Sequence, residues 1–240
     1  MYKRGAVMKK ITHLLTLMTM FPVLATANEW KGEGELGYTT TSGNTDSESL
    51  NTKLSIAKEH EKWRHKAAVE ILKSSTDSVT SADRFVFTEK TEYQFGEKAY
   101  SFVSLRYEDD EFSGFVYQSS VSVGYGSRFI ETDAHVLDAS AGIGYRRTKD
   151  VLTMLVHEDG ILKVEGNYKY TISDSAVFSE DILIEAGEEN THSESVTALK
   201  TKINGNLSSK ISYAVKRNSN VPVGTEKTDT VTTVSLIYSF

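Results

Sequence analysis

The sequence has no cysteine, which removes two classes of structure at once. Without cysteine there is neither a disulfide framework nor a thiolate metal site. No basic block follows the first residues, and the net charge of −6 argues against a nucleic-acid partner. At 240 residues, the chain fits one all-β domain as readily as two smaller domains.

Long apolar runs are also missing beyond Ala27. No run of about 18 apolar residues follows that position, so no helix formed there can span a membrane. The first 27 residues differ, because a basic leader precedes the mostly apolar run "ITHLLTLMTMFPVLATA", which ends in small residues. This pattern is typical of a cleaved secretory signal peptide. We predict a signal peptide over residues 1–27 and an exported domain over residues 28–240.

The exported part contains twelve segments in which apolar and polar residues alternate. They lie near residues 31–40, 48–59, 62–74, 83–95, 98–109, 115–127, 134–147, 160–171, 175–186, 195–207, 210–218 and 229–240. A two-residue period predicts β-strands with one apolar face. Most segments have about ten residues or more, which is the length that a tilted strand needs to cross a bilayer.

Short and long connections alternate along the chain. The short ones are "EHEKW", "FGEKA", "FIETDA", "ISDSA" and "LSSK", and the longer ones are "TSGNTDSES", "STDSVTSAD", "DDEFSG", "TKDVLTMLVHEDG", "GEENTHSES" and "NSNVPVGTEKTD". This sorting predicts an all-β, transmembrane, antiparallel up-and-down barrel of about twelve strands, with the long loops at one rim. A soluble Greek-key sandwich has no reason to sort its loops in this way. The apolar stretch "VLTMLV" breaks the pattern, and either extends a strand or folds into the barrel mouth.

The final segment, "TDTVTTVSLIYSF", ends on an aromatic residue within a strand pattern. We predict a closing strand whose last residue, Phe240, lies at the periplasmic interface and is recognised by the outer-membrane assembly machinery. Aromatic residues near strand ends predict the two girdles of a membrane barrel. The girdle at the short-turn rim contains Trp30, Trp63, Tyr100, Tyr170 and Phe240, and the other contains Tyr38, Tyr107 and Tyr145.

Several stretches resemble the YdiY-type family of salt-induced outer-membrane proteins. They are "WKGEGELGYTTTSGNTDSESLNTKL", "EKWRHKAAVE", "LRYEDDEFSGFVYQSSVSVGYG", "LDASAGIGYRR" and "NSNVPVGTEKTDTVTTVSLIYSF". The resemblance covers roughly residues 30–240, and GY-x-x-TSGNT and RYEDD-x-FSG are its most distinctive parts. It implies an outer-membrane barrel whose molecular function is not established, with no catalytic motif to carry over. A role under salt or osmotic stress is implied by the family name alone.

The predicted inward face carries charges of both signs. The candidate lumen residues are Glu33, Glu35, Arg64, Lys66, Glu70, Arg84, Arg106, Arg146, Lys163, Glu165 and Lys169, together with Lys53, Lys90, Glu92, Asp138, Asp181, Glu185, Lys200, Lys202 and Lys216. Buried charges persist only when they are paired or hydrated. Two interpretations follow: salt bridges that fill and stiffen a small barrel, or a narrow pore that weakly prefers anions because bases outnumber acids.

Two other functions have weaker support. A soluble periplasmic β-barrel that binds a ligand in its interior would show the same alternation. An outer-membrane acyl hydrolase needs a serine, histidine and asparagine set on the lipid-facing side near the outer rim. The histidines do not fit, because three lie near the short-turn rim (His60, His65 and His135) and His157 and His192 are predicted in loops. We expect a protein that is not an enzyme.

The predicted outer loops are acidic, which raises the question of a metal. Glu108–Glu111 is a run of four acids, and Asp174, Glu188 and Glu189 lie in other connections. Oxygen clusters of this kind can hold Ca²⁺, and such an ion could bridge the loops to lipopolysaccharide. The spacing matches no metal-binding loop, so we expect no cofactor and no resident metal. The expected partners are outer-membrane lipid, lipopolysaccharide and the assembly machinery.

Overall fold

Twelve β-strands succeed one another along the chain in the computed structural model, which describes residues 30–42, 47–76, 79–110 and 113–240. They are β1 (Trp30–Ser42), β2 (Ser47–His60), β3 (Trp63–Thr76), β4 (Val79–Gln94), β5 (Ala99–Asp110), β6 (Phe115–Glu131), β7 (His135–Asp150), β8 (Val156–Ser173), β9 (Ala176–Gly187), β10 (Thr191–Asn204), β11 (Leu207–Asn218) and β12 (Thr228–Ser239). The part of the chain that is described contains no helix long and apolar enough to cross a membrane. The predicted signal peptide lies outside the described residues.

Every strand pairs antiparallel with its sequence neighbours, and β12 pairs with β1 to close a barrel. The predicted fold, a twelve-stranded antiparallel up-and-down barrel, is therefore confirmed. At the seam, the N–H of Phe240 donates to the carbonyl of Gly32 at 2.9 Å and the N–H of Gly32 donates back at 2.8 Å. The Phe240 ring covers Gly32, where an added Cβ would lie 2.4 Å from the ring. Glycine at this position lets the ring lie flat on the seam.

The two faces of the barrel differ sharply in polarity. On β12, Val234, Leu236 and Tyr238 point outward and are more than half exposed, whereas Thr233 and Ser235 are buried against the lumen. The same alternation runs around the wall and leaves rows of large apolar side chains on the outside. An apolar outer band with a polar interior is the pattern of a membrane barrel. A water-soluble barrel needs the opposite arrangement.

Most strands are longer than predicted, and the connections at the predicted long-loop rim are correspondingly shorter. For example, β8 begins at Val156 and β10 begins at Thr191, both inside stretches predicted as loops. Those predictions are wrong because backbone ladders continue beyond the lipid, where both faces are wet and apolar alternation is not required. "VLTMLV" supplies the β7–β8 turn, residues 151–155, and the first residue of β8, and Leu152 within it is exposed.

Tyr100 does not belong to the predicted aromatic girdle. Its side chain points into the lumen, is 2% exposed, and donates a hydrogen bond to Asp138. The ring lies against Gly126, where an added Cβ would be 2.3 Å from the ring carbon Cζ. Phe102, the next inward residue of β5, lies against Gly124 in the same way. The prediction failed because glycines on a neighbouring strand made room for rings inside the barrel.

Replacing Gly142 by alanine is expected to lower the free energy of unfolding by about 1–3 kcal/mol, the usual cost of overpacking. A Cβ at this position would lie 2.4 Å from the carbonyl oxygen of Val123 and 3.0 Å from Phe102, so backbone must move. Urea unfolding in lipid vesicles would measure the change. Gly166→Ala is the control, because nothing lies within 4 Å of its Cβ position. Equal midpoints for the two variants would contradict the expectation.

Candidate functional site: a charged lumen

The strand registers place all the predicted lumen charges on the inward face. Lys53 faces Glu70 across β2 and β3, for example, and Lys163 faces Glu185 across β8 and β9. Several of these side chains are deeply buried, with Arg146 at 2% exposed and Lys163 at 4%. That any of them selects or conducts a solute stays a prediction.

Five of the inward charges form one cluster near the outer rim, here called the transverse cluster: Arg84, Arg106, Glu108, Glu194 and Lys216. Glu108 lies at its centre, fully buried, and accepts from Arg84 Nε at 2.9 Å and Arg106 Nη2 at 2.7 Å. Lys216 Nζ also donates to Glu108, and Arg106 Nη2 donates to Glu194 at 3.2 Å. Removing water from these charges is costly, so each must be compensated by its partners.

The transverse cluster joins opposite walls of the barrel. Lys216 lies on β11 and Glu108 on β5, and five strands lie between these two on either side of the closed ring of twelve. Lys216 also donates to Asp110 on β5 at 3.0 Å. A side chain can bridge these walls only where the lumen is narrow. The cluster therefore obstructs the passage through the barrel at this level.

A second layer of contacts lies closer to the short-turn rim. Lys90 on β4 donates to Glu165 on β8 at 2.6 Å, which is again a contact between separated strands. Lys163 on β8 reaches Ser104 on β5 at 2.9 Å and pairs with Glu165 at 3.0 Å. Two layers of polar contacts thus cross the lumen, and the Phe102 ring lies beside the second layer, with its centroid 4.6 Å from Lys90 Nζ.

The lumen is wetter toward the short-turn rim on the side of β1–β3. The side chains of Lys66 and Glu33 there are 50% and 44% exposed. Lys169 and Lys202, on the inward faces of β8 and β10 near the same rim, are exposed as well. We call this hydrated, mainly basic space the vestibule.

The outer mouth is covered by the β11–β12 connection, residues 219–227, here called the mouth loop. Pro222 in this loop contacts Gly114 in the β5–β6 turn, where an added Cβ would be 2.7 Å from Pro222 Cδ. Gly114 has a φ of +86°, a left-handed conformation that favours glycine. Asn220 N–H donates to Asn190 Oδ1 in the β9–β10 turn at 3.1 Å. The loop thus spans from one wall to the opposite one.

Three central acids were missed as lumen residues. Glu108 and Asp110 were predicted in an acidic loop, but β5 extends through Asp110, and Glu194 belongs to β10. For β5, the signal was the continued alternation, since Arg106, Glu108 and Asp110 occupy every second position. The register also adds Asp159 and Lys210 to the inward charges. With these acids included, the inward face carries nearly equal numbers of acidic and basic side chains. The excess of bases is therefore confined to the exposed vestibule.

The histidine assignments also change. His157 and His192 lie in β8 and β10 rather than in loops, and His192 is buried with its Nδ1 3.1 Å from Asn218 Oδ1. The loop prediction failed because the polar stretches around both residues continue the strand ladders. Among the residues described, no group of three His, Asp or Glu side chains is arranged to hold a metal ion. The acidic outer rim therefore supplies no preformed cation cage in this part of the chain.

A closed twelve-stranded barrel with an apolar outer band and a charged lumen defines the class: a β-barrel of the outer-membrane type. The chain belongs to the DUF481 family, described as a protein of unknown function, whose family model matches residues 34–240. A similar curated protein is "Uncharacterized protein YdiY" from Escherichia coli (strain K12). It is 27% identical over 217 residues, which cover 88% of this chain and 83% of that protein. The predicted YdiY-type resemblance is confirmed.

Solved structures share the architecture at low sequence identity. The translocator domain of the autotransporter NalP from Neisseria meningitidis is similar with a TM-score of 0.55 and 11% identity, covering 98% of this chain and 99% of that one. The KdgM porin gives a TM-score of 0.47 and 13% identity, covering 87% and 99%. The similarity to the translocator domain shows that the barrel fold is shared. The similarity to the porin is too low to support a conclusion.

Proposed function

We propose that the protein is a narrow pore of the cell outer membrane, exported by the signal peptide over residues 1–27 and closed in its resting state. The barrel domain over residues 28–240 forms the pore, and the assembly machinery recognises its Phe240. A link to salt or osmotic stress is part of the proposal and depends on the family resemblance alone.

One observation carries the proposal: a hydrated vestibule ends at a polar constriction. A barrel that serves only as a filled scaffold has no need of exposed lysines in its lumen. The constriction consists of ion pairs, which can be rehydrated when they separate, and of a mouth loop held by one proline contact and a few hydrogen bonds.

Single-channel recording in a planar bilayer across a KCl gradient tests the proposal. The refolded wild-type protein should be closed most of the time and show brief openings. A folded barrel that stays silent, even after both elements of the constriction are weakened, would overturn the pore and leave the lumen charges as packing. Heat-modifiable gel mobility would establish that each sample is folded.

Reversing the charge of Lys169 and Lys202 together is expected to reverse the ion preference of the open pore. Both side chains are exposed at the vestibule entrance, where bases exceed acids and attract anions. The reversal potential across the KCl gradient should change sign in the double Lys→Glu variant. Lys58→Glu, on the outer face near the same rim, is the control and should keep the wild-type sign. If the reversal potential keeps its sign in both variants, Lys169 and Lys202 do not determine the ion preference.

A further inference from the structure

The outer wall of the barrel contains a concavity that the lumen does not explain. This lateral groove has a volume of about 580 Å³ and extends from β3 to β7 on the outward face. Its walls carry Trp63 and Tyr93 on one side and Tyr125 and Ile143 on the other. Barrel exteriors are normally convex, so a groove across five strands requires a local cause.

The cause lies in small residues on β6 and β7. Gly124 and Gly142 face each other in the register, and an added Cβ at either would clash with backbone at 2.5 Å or less. Because neither glycine projects a side chain inward, the sheet lies close to the buried ring of Phe102. Ala141, which precedes Gly142 on β7, points outward and leaves the bottom of the groove open.

Polar groups border the groove at one level. His65 Nδ1 is 2.8 Å from Thr91 Oγ1, and the Thr91 hydroxyl donates to Glu89 Oε1 at 2.6 Å. All three side chains are on the outward face, and Glu89 lies in register with Ala67 and Leu105. A carboxylate facing lipid is costly unless it is hydrogen-bonded, and such residues often mark functional sites. Thr91 and Glu89 lie three and five residues from the end of β4, and His65 lies two residues from the start of β3, near the level of an aromatic girdle.

The turns beneath the groove carry paired charges of opposite sign. The β2–β3 turn contains Glu61 and Lys62, and the β4–β5 connection contains Glu97 and Lys98, all exposed. Each turn therefore offers one carboxylate and one ammonium side by side. A zwitterionic head group, with a phosphate and a primary ammonium, matches this pattern better than a purely anionic one.

We propose that the lateral groove binds one zwitterionic glycerophospholipid, with a primary ammonium in its head group, from the leaflet at the short-turn rim. An acyl chain lies along the groove over Ala141, the glycerol esters lie beside His65 and Thr91, and the head group meets the charged turns. The inference uses the membrane placement of the proposed function but does not depend on conduction. A second copy of the chain fits poorly, because two concave faces related by a two-fold axis enclose a void.

Native mass spectrometry of the detergent-extracted protein tests the site, with equimolar phosphatidylethanolamine and phosphatidylglycerol as probes. The wild-type barrel should retain phosphatidylethanolamine preferentially. Ala141→Leu fills the bottom of the groove and should weaken retention about tenfold, the factor that corresponds to losing about two buried methylene groups. Ala186→Leu, the same change on the outward face of β9, should retain lipid as the wild type does.

The head-group contact is tested separately by changing Glu61 and Glu97 to glutamine, which removes the charged partners of the lipid ammonium and should abolish the preference for phosphatidylethanolamine. Equal retention in Ala141→Leu and Ala186→Leu would mean ordinary boundary lipid and would overturn the site. Loss of a dimer mass in Ala141→Leu would identify a second copy as the occupant and would equally overturn it. Heat-modifiable mobility checks folding, and a silent conductance record has no bearing on any of these outcomes.

Discussion

Replacing Glu108 by glutamine is expected to lower the free energy of unfolding by about 3–5 kcal/mol, the cost of leaving buried charges without their partner. Glu108 is fully buried, and Arg84, Arg106 and Lys216 all donate to it. A neutral amide cannot compensate three cations in a region with little water. The midpoint of urea unfolding in lipid vesicles would measure the loss.

Two further variants make this expectation specific. Glu158→Gln is the control, because the pair of Glu158 with Arg147 is exposed and such pairs contribute about 0–1 kcal/mol. Adding Lys216→Met to Glu108→Gln should recover part of the loss, since it removes one of the three cations that Glu108 had compensated. If Glu108→Gln costs no more than Glu158→Gln, the transverse cluster does not stabilise the barrel.

Opening the pore permanently is expected to require two changes together. The first change, Lys216→Ala together with Glu194→Ala, removes the ties from β5 to β11 and to β10. Glu108 keeps its contacts with Arg84 and Arg106. Deleting residues 221–224 removes the proline that contacts Gly114 and leaves enough chain to connect β11 to β12. Each change alone leaves one obstruction, so the combined variant should conduct steadily and the single variants should resemble the wild type.

The control for this experiment is Lys73→Ala in the shortened-loop background. Lys73 pairs with Asp83 at 3.2 Å, and its side chain is half exposed, so its removal leaves the lumen unchanged. This control should stay closed. A combined variant that folds, as judged by heat-modifiable mobility, and remains silent would overturn the proposed pore.

The strand number and the two faces of the wall were predictable from the sequence because lipid imposes a strict period. In the middle of the barrel, every second residue must be apolar, and Val121, Val123 and Tyr125 follow that rule. Strand ends beyond the lipid obey no such rule. Ser193 and Glu194 were therefore taken for a loop although they continue the ladder of β10.

The sequence predicted which charged residues face the lumen but not which of them contact one another. Parity along each strand places Arg106 and Lys216 inside, whereas their shared contact with Glu108 depends on which walls approach each other. The inward turn of Tyr100 has the same origin, because it requires Gly126 on a neighbouring strand. Contacts between residues more than a hundred positions apart, such as Lys216 and Glu108, are set by barrel closure rather than by local pattern.

The sheet closes into a barrel only when β1 pairs with β12. It joins the two most distant strands of the chain, so its loop-closure entropy is the largest and it should form last during folding. Lys200 and Lys210 reach across β12 to Glu33 and Glu35, each at 2.5 Å, and these pairs exist only after closure. Until then, both acids stay in water at the end of an open sheet. We therefore expect the slowest step of folding to be barrel closure, in which the two acids of β1 leave water and pair with the lysines of β10 and β11.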